Sequence, residues 1–166
     1  MKDKSQMAEH PPINESTSLF VSAKNAVKER DYGQAEALLS QLLALEPKHL
    51  NALDLMGFVL FFQGRYAECE SYCLRALEIA PRHVYALNGL GMALSRQGHL
   101  ERGVEVMTQA IEINPTWPEP YWDMAVVLIE AGEAARAIEV LARGIANIPA
   151  SRARFERLLN RIKDSQ

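Results

Sequence analysis

Four prolines, Pro47, Pro81, Pro115 and Pro149, stand 34 residues apart along the chain. An equal spacing held three times over marks a repeat array, and it restricts the fold before any local propensity is weighed. Aligning on these prolines gives frames 16–49, 50–83, 84–117 and 118–151, which cover 136 of the 166 residues. Other columns then fall into register. Eight residues into each frame stand Ala23, Gly57, Gly91 and Ala125, and twenty residues in stand Ala35, Cys69, Gly103 and Ala137. All eight are small. The fourth column is large and apolar, with Leu19, Leu53, Leu87 and Tyr121. The fifteenth holds Gly64, Gly98 and Gly132, with Arg30 in the first frame.

Each frame contains two amphipathic runs of helical period. The glycine column marks where the first helix stops and turns. The proline cannot extend the second helix and closes the unit. Small residues at two fixed columns let the paired helices approach closely. A single helical hairpin cannot bury its own apolar face, so consecutive hairpins must stack into a solenoid. An apolar fraction of 48% supports such a continuous core.

These columns resemble the tetratricopeptide repeat family, whose unit is a 34-residue helix–turn–helix. The third frame carries the pattern as Leu87, Leu90-Gly91, Leu94, Ala110 and Pro115. The second carries it as Leu53, Met56-Gly57, Tyr66, Ala76 and Pro81. The first departs at its front, with Ser22-Ala23, and recovers at Asp31-Tyr32-Gly33 and Ala35. The fourth has Ala125 and Gly144 where the family usually has Gly and Ala. The resemblance implies an all-α fold, an α-solenoid of four helical hairpins, and a role in binding other proteins.

The ends read differently. Residues 1–15 are polar, contain Pro11-Pro12 and show no helical period, which predicts a flexible arm. After Pro149, Phe155, Leu158, Leu159 and Ile162 share one helical face, which predicts a capping helix over 152–166. That last stretch has five basic residues against two acidic ones, within a chain of net charge −3. The repeats therefore hold the acidic excess. This balance disfavours a general nucleic-acid binder. The N-terminus lacks an apolar signal core, and no run reaches the length of a membrane helix. The expectation is a cytoplasmic protein with no membrane insertion.

Chemistry is sparse. Gly89-Leu90-Gly91 lacks the third glycine of a dinucleotide fingerprint and lies within a predicted helix. Cys69 and Cys73 are one helical turn apart at packing columns and read as buried thiols. His49 and His83 occupy equivalent turns, with no cluster of further ligands beside them. No Ser-His-Asp set, His-Glu-x-x-His motif or paired catalytic carboxylates stand in a convincing context. The reading is a non-enzymatic chain without cofactor, catalytic residues or metal.

The resemblance also places a binding face. In the family, the first helix of each hairpin lines a concave groove. Its inward columns here hold Asn51, Asp54, Leu55, Phe58 and Phe62, then Tyr85, Asn88, Gly89, Met92 and Arg96, then Trp122, Asp123 and Val126. Phe61 and Phe62 are adjacent, so the groove and the core compete for them. Aromatic anchors with interleaved Asn and Asp suit a peptide segment. Asn51 and Asn88 are the expected partners of its backbone. Gly89 is expected to leave room for a ligand.

Members that grip the acidic tails of heat-shock chaperones use a two-carboxylate clamp of Lys, Asn and Arg. Its five places hold Phe20, Lys24, Leu55, Tyr85 and Gly89 in one frame, or Asp54, Phe58, Gly89, Glu119 and Asp123 in the next. Neither set is that clamp. The expected function is a protein–protein adaptor taking a peptide in its concave groove. The alternatives are a dedicated chaperone of a secreted or assembled partner, similar to those of type III secretion, and a self-assembling structural module, a homo-oligomer.

Overall fold

The computed structural model describes residues 14–164. These residues form nine α-helices and no strand. Four antiparallel hairpins follow one another: α1 (Glu15–Lys28) with α2 (Tyr32–Leu45), α3 (Leu50–Phe62) with α4 (Tyr66–Ile79), α5 (Val84–Arg96) with α6 (Leu100–Ile113), and α7 (Glu119–Glu130) with α8 (Ala134–Asn147). A 3₁₀ turn, Pro149–Ser151, leads into α9 (Arg152–Lys163). The expected N-terminal arm lies outside the described residues, except that Asn14 caps α1 and Glu15 begins it. Among the described residues no helix is long and apolar enough to cross a membrane.

The hairpin turns follow from one backbone geometry. Gly64, Gly98 and Gly132 adopt left-handed φ values of 77°, 90° and 81°, and Arg30 adopts 61° at the same column. The next amide donates to the carbonyl five residues back each time: Asp31 to Ala26, Arg65 to Leu60, His99 to Leu94 and Glu133 to Leu128. This is the glycine-type helix stop. Arg30 bears the Cβ strain of that conformation, roughly 1 kcal/mol, where its counterparts have none. The residue before each repeat proline, Glu46, Ala80, Asn114 or Ile148, then caps the second helix.

The small columns do set helix approach. A Cβ on Gly91 would lie 2.5 Å from Met107 Cγ and 2.7 Å from the Gly103 carbonyl oxygen. Helices α5 and α6 therefore touch nearly backbone to backbone. Gly144, the departure from the family pattern, has a reason of the same kind: a Cβ there would sit 2.9 Å from the Phe155 ring. Phe155 is fully buried, and with Leu158 and Ile162 it seats α9 over the last hairpin. Tyr121 is buried beneath it and donates its hydroxyl to the Pro115 carbonyl at 3.0 Å.

Two apolar clusters make up the core. The first joins α1 to α5, through residues such as Leu39, Leu53, Met56, Leu60 and Leu90. The second joins Met107 and Ile111 of α6 to α7, α8 and α9. The third hairpin is thus shared between them. Polar staples cross the seams between hairpins. Gln63 Nε2 donates to Glu36 at 3.0 Å, and Gln97 Nε2 donates to Glu70 at 2.7 Å. Donor and acceptor are 27 residues apart in both. Val104 and Ala131 stand at the corresponding columns of the last seam, which instead carries an Arg136–Glu101 pair at 2.7 Å.

Candidate functional site

The first helices of successive hairpins stand side by side, α3 against α5 and α5 against α7. Between them opens a cavity of about 380 Å³. That is within the size range of ligand sites. Its walls carry Phe58, Phe61 and Phe62 of α3, Tyr85 and Met92 of α5, and Trp117 from the turn before α7. Its polar groups are Asp54, Asn88, Asp123 and Glu119. Two cysteines of α4, Cys69 and Cys73, form part of the lining. They reach it because Gly57 and Gly89 have no side chain to cover them: a Cβ would meet Cys73 Sγ at 3.4 Å from Gly57 and at 3.0 Å from Gly89. Both are free thiols, and burial with the neighbouring Cys69 pushes the Cys73 thiol well above the ordinary range.

The rings form two clusters. Phe58 and Phe62 have centroids 4.6 Å apart, and Phe62 stacks on Tyr32 at 5.7 Å. Tyr85 lies 4.6 Å from Trp117 and 5.8 Å from His83. Three of these rings stay open to solvent: Phe58 is 44% exposed, Phe62 55% and Tyr85 59%. Exposed apolar clusters on folded chains are often places of contact with other molecules. Phe61 is half-buried against the first core cluster yet also lines the cavity, so it faces both ways.

Of the residues placed in the groove from sequence, Asp54, Phe58, Phe62, Tyr85, Asn88, Gly89, Met92 and Asp123 meet in this cavity. Leu55 and Val126 pack instead against the two core clusters. Asn51 is exposed and outside the cavity. Arg96 pairs with Glu130 at 2.9 Å and lies over Phe61 at 5.9 Å. Trp122 is half-buried, with the Arg154 guanidinium 4.6 Å over its ring, so the capping helix covers the expected anchor. Gly89 differs as well, since the space it vacates is occupied by the Cys73 thiol.

Asn88 departs furthest from expectation. It is 7% exposed, and its Nδ2 donates to Asp123 Oδ2 at 2.7 Å. Its Oδ1 is buried and has no hydrogen-bond partner. Asp54 repeats the arrangement: Oδ2 lies 2.6 Å from His83 Nε2, while Oδ1 is buried and unpartnered. Burial raises the carboxyl pKa of both Asp54 and Asp123, and the His83 and Asn88 hydrogen bonds pull in the opposite direction.

Trp117 and the thiols are the residues that sequence reasoning missed. Trp117 shares its repeat column with His49 and His83, just ahead of each inner helix. That column is the available signal, since its rings contact the groove aromatics Phe20, Tyr85 and again Tyr85.

Comparison with known proteins agrees with this geometry. Two tetratricopeptide repeat family models match residues 48–116 and 94–162. No curated protein sequence matches the chain. Among solved structures, TTC0263, a thermophilic repeat protein of Thermus thermophilus, superposes with a TM-score of 0.74 at 19% identity, over 87% of this chain and 81% of that one. MamA of Desulfovibrio magneticus RS-1 gives 0.70 at 21% identity, over 84% and 78%. YrrB, described as having an unusual peptide-binding site, gives 0.65 at 19%, over 81% and 69%. At these identities the likeness is one of fold. The repeat columns, the stacked hairpins and the matches across 48–162 together place this chain in the tetratricopeptide repeat family.

Proposed function

We propose that the chain is a non-enzymatic adaptor that binds a peptide segment of a partner protein along its concave face. The observation that carries this reading is the exposure of Phe58, Phe62 and Tyr85 around one cavity. Large rings left open together supply the kind of anchors that dominate interface energetics. The cavity sits on the inner helices, whose side chains project into the groove shared by three hairpins. A segment lying across α3, α5 and α7 would touch all three walls.

The test is selection from a displayed random-peptide library with wild-type protein and with a Phe58→Ala/Phe62→Ala/Tyr85→Ala variant. These side chains are exposed, so the variant keeps its helical circular dichroism. Wild type is expected to enrich a family of related peptides, and the variant to lose them. Equal enrichment by both proteins, or none by wild type, removes the groove from the account. Trp122 is left intact because Arg154 already occupies its face.

A further inference from the structure

The polar lining of the cavity is one-sided. Asp54, Asp123 and Glu119 are acidic, Asn88 presents an oxygen, and no lysine or arginine is among the lining residues. Two donors beside these groups are already engaged, the Asn88 amide nitrogen on Asp123 and the His83 ring on Asp54. Two acceptors remain, Asp54 Oδ1 and Asn88 Oδ1, both buried and unpartnered. Asn88 is more than nine-tenths buried, so water does not readily compensate it. Its orientation is set by Asp123, which requires the amide nitrogen rather than the oxygen. A ligand that brings N–H groups completes this site, and one that brings a carboxylate is repelled by it.

The walls agree with the floor. Phe58, Phe61, Phe62, Tyr85 and Trp117 offer aromatic faces, which attract a cation through the ring quadrupole. The chain already uses its own arginines this way at both margins of the cavity. Arg96 lies over Phe61 and pairs with Glu130. Arg154 lies over Trp122 and pairs with Glu119 at 3.3 Å. The same combination of ring and carboxylate recurs at the centre, around Asp54 and Asp123, with no basic residue supplied by the lining.

We propose that the cavity receives an arginine side chain of the bound peptide, its guanidinium against the aromatic walls and donating to Asp54 Oδ1 and Asn88 Oδ1. Arginine fits better than lysine because its planar fork stacks on rings and carries five donors. The proposal rests on the groove reading above and specifies its partner: a basic segment, opposite in charge to the tails gripped by a carboxylate clamp. Burial raises the pKa of Asp54 and Asp123, and a bound cation would oppose that rise by favouring their ionised forms.

The test uses the peptides selected in the library experiment. Enriched sequences are expected to share an arginine. Replacing it by citrulline, which keeps the shape and removes the charge, is expected to weaken binding about tenfold or more, and lysine by less. Asp54→Asn and Asp123→Asn proteins should reduce the arginine-to-citrulline ratio severalfold while keeping wild-type helicity. Two variants are used so that one altered fold does not decide the result. Peptides that depend on Phe58 and Tyr85 but tolerate citrulline overturn the arginine pocket and leave the groove standing. Absence of any groove-dependent peptide overturns both.

Discussion

Asp123 bears a charge in a place that disfavours charge. Burial raises its pKa from the ordinary 3.8, while Asn88 and Arg154 act to lower it and Glu119 adds to the rise. The folded chain therefore holds a proton that the unfolded chain releases, over a window that begins near 3.8 and ends at the raised value. Stability falls as pH rises through that window and stays lower above it. Asp123→Asn keeps an oxygen to accept from Asn88 and has no charge to bury. Urea denaturation at pH 7 is expected to show the variant more stable than its parent, and the difference should vanish below pH 3.8. This same variant is expected to bind the arginine peptide less well, so stability and affinity move in opposite directions. None of this was legible at position 123 in isolation. The Asn88–Asp123 bond joins residues 35 apart, and only the stacking of α5 on α7 reveals that it uses the amide expected to serve the ligand.

Among the elements, the seams between hairpins are not equivalent. The first two carry the same buried-edge staple, Gln63 to Glu36 and Gln97 to Glu70. At the last seam Val104 packs against the second core cluster, and the polar link moves outward to Arg136 and Glu101. The outward pair is well formed, with contacts of 2.7 and 2.9 Å, but Glu101 is 73% exposed. Solvent screening leaves such a pair little net value. Gln97→Ala is expected to cost about 1 kcal/mol, because it strands a half-buried carboxylate and loses a charge-assisted bond. Arg136→Ala is expected to stay within about 0.5 kcal/mol. Chemical denaturation of the two variants at low and high salt separates these outcomes. The hairpins themselves were legible because every column is stated four times, so that proline, glycine and small-residue positions could be read against one another. The edge of the site was not. Trp117 lies in a turn outside the inner-helix columns, and Arg154 comes from the cap, which is not a repeat.

For the whole molecule, the division of the core matters more than the number of hairpins. The two apolar clusters meet within the third hairpin, where the buried residues of α5 belong to one and those of α6 to the other, while Val106 and Met92 reach across. The close approach of Gly91 and Gly103 is one of the contacts that couple the two clusters. A Cβ on Gly103 would fall 2.5 Å from the Gly91 carbonyl oxygen and 3.1 Å from the Ser95 nitrogen, both backbone atoms that cannot yield. Gly103→Ala is therefore expected to separate the helices and cost about 1–3 kcal/mol. It should also divide unfolding into two steps, as expected of a stack whose neighbours have lost their interface. Tryptophan fluorescence, reporting from Trp117 and Trp122 in the C-terminal half, should then part from far-ultraviolet circular dichroism in a urea titration, whereas wild type keeps the two coincident.

The cavity takes its walls from α3, α5 and α7, so no single hairpin contains it. A change in how the three hairpins stack would change the width of this opening. A neighbour that pulled on the ends of the array would widen or pinch the opening without touching it. A guest lodged between the three helices would touch all three hairpins at once.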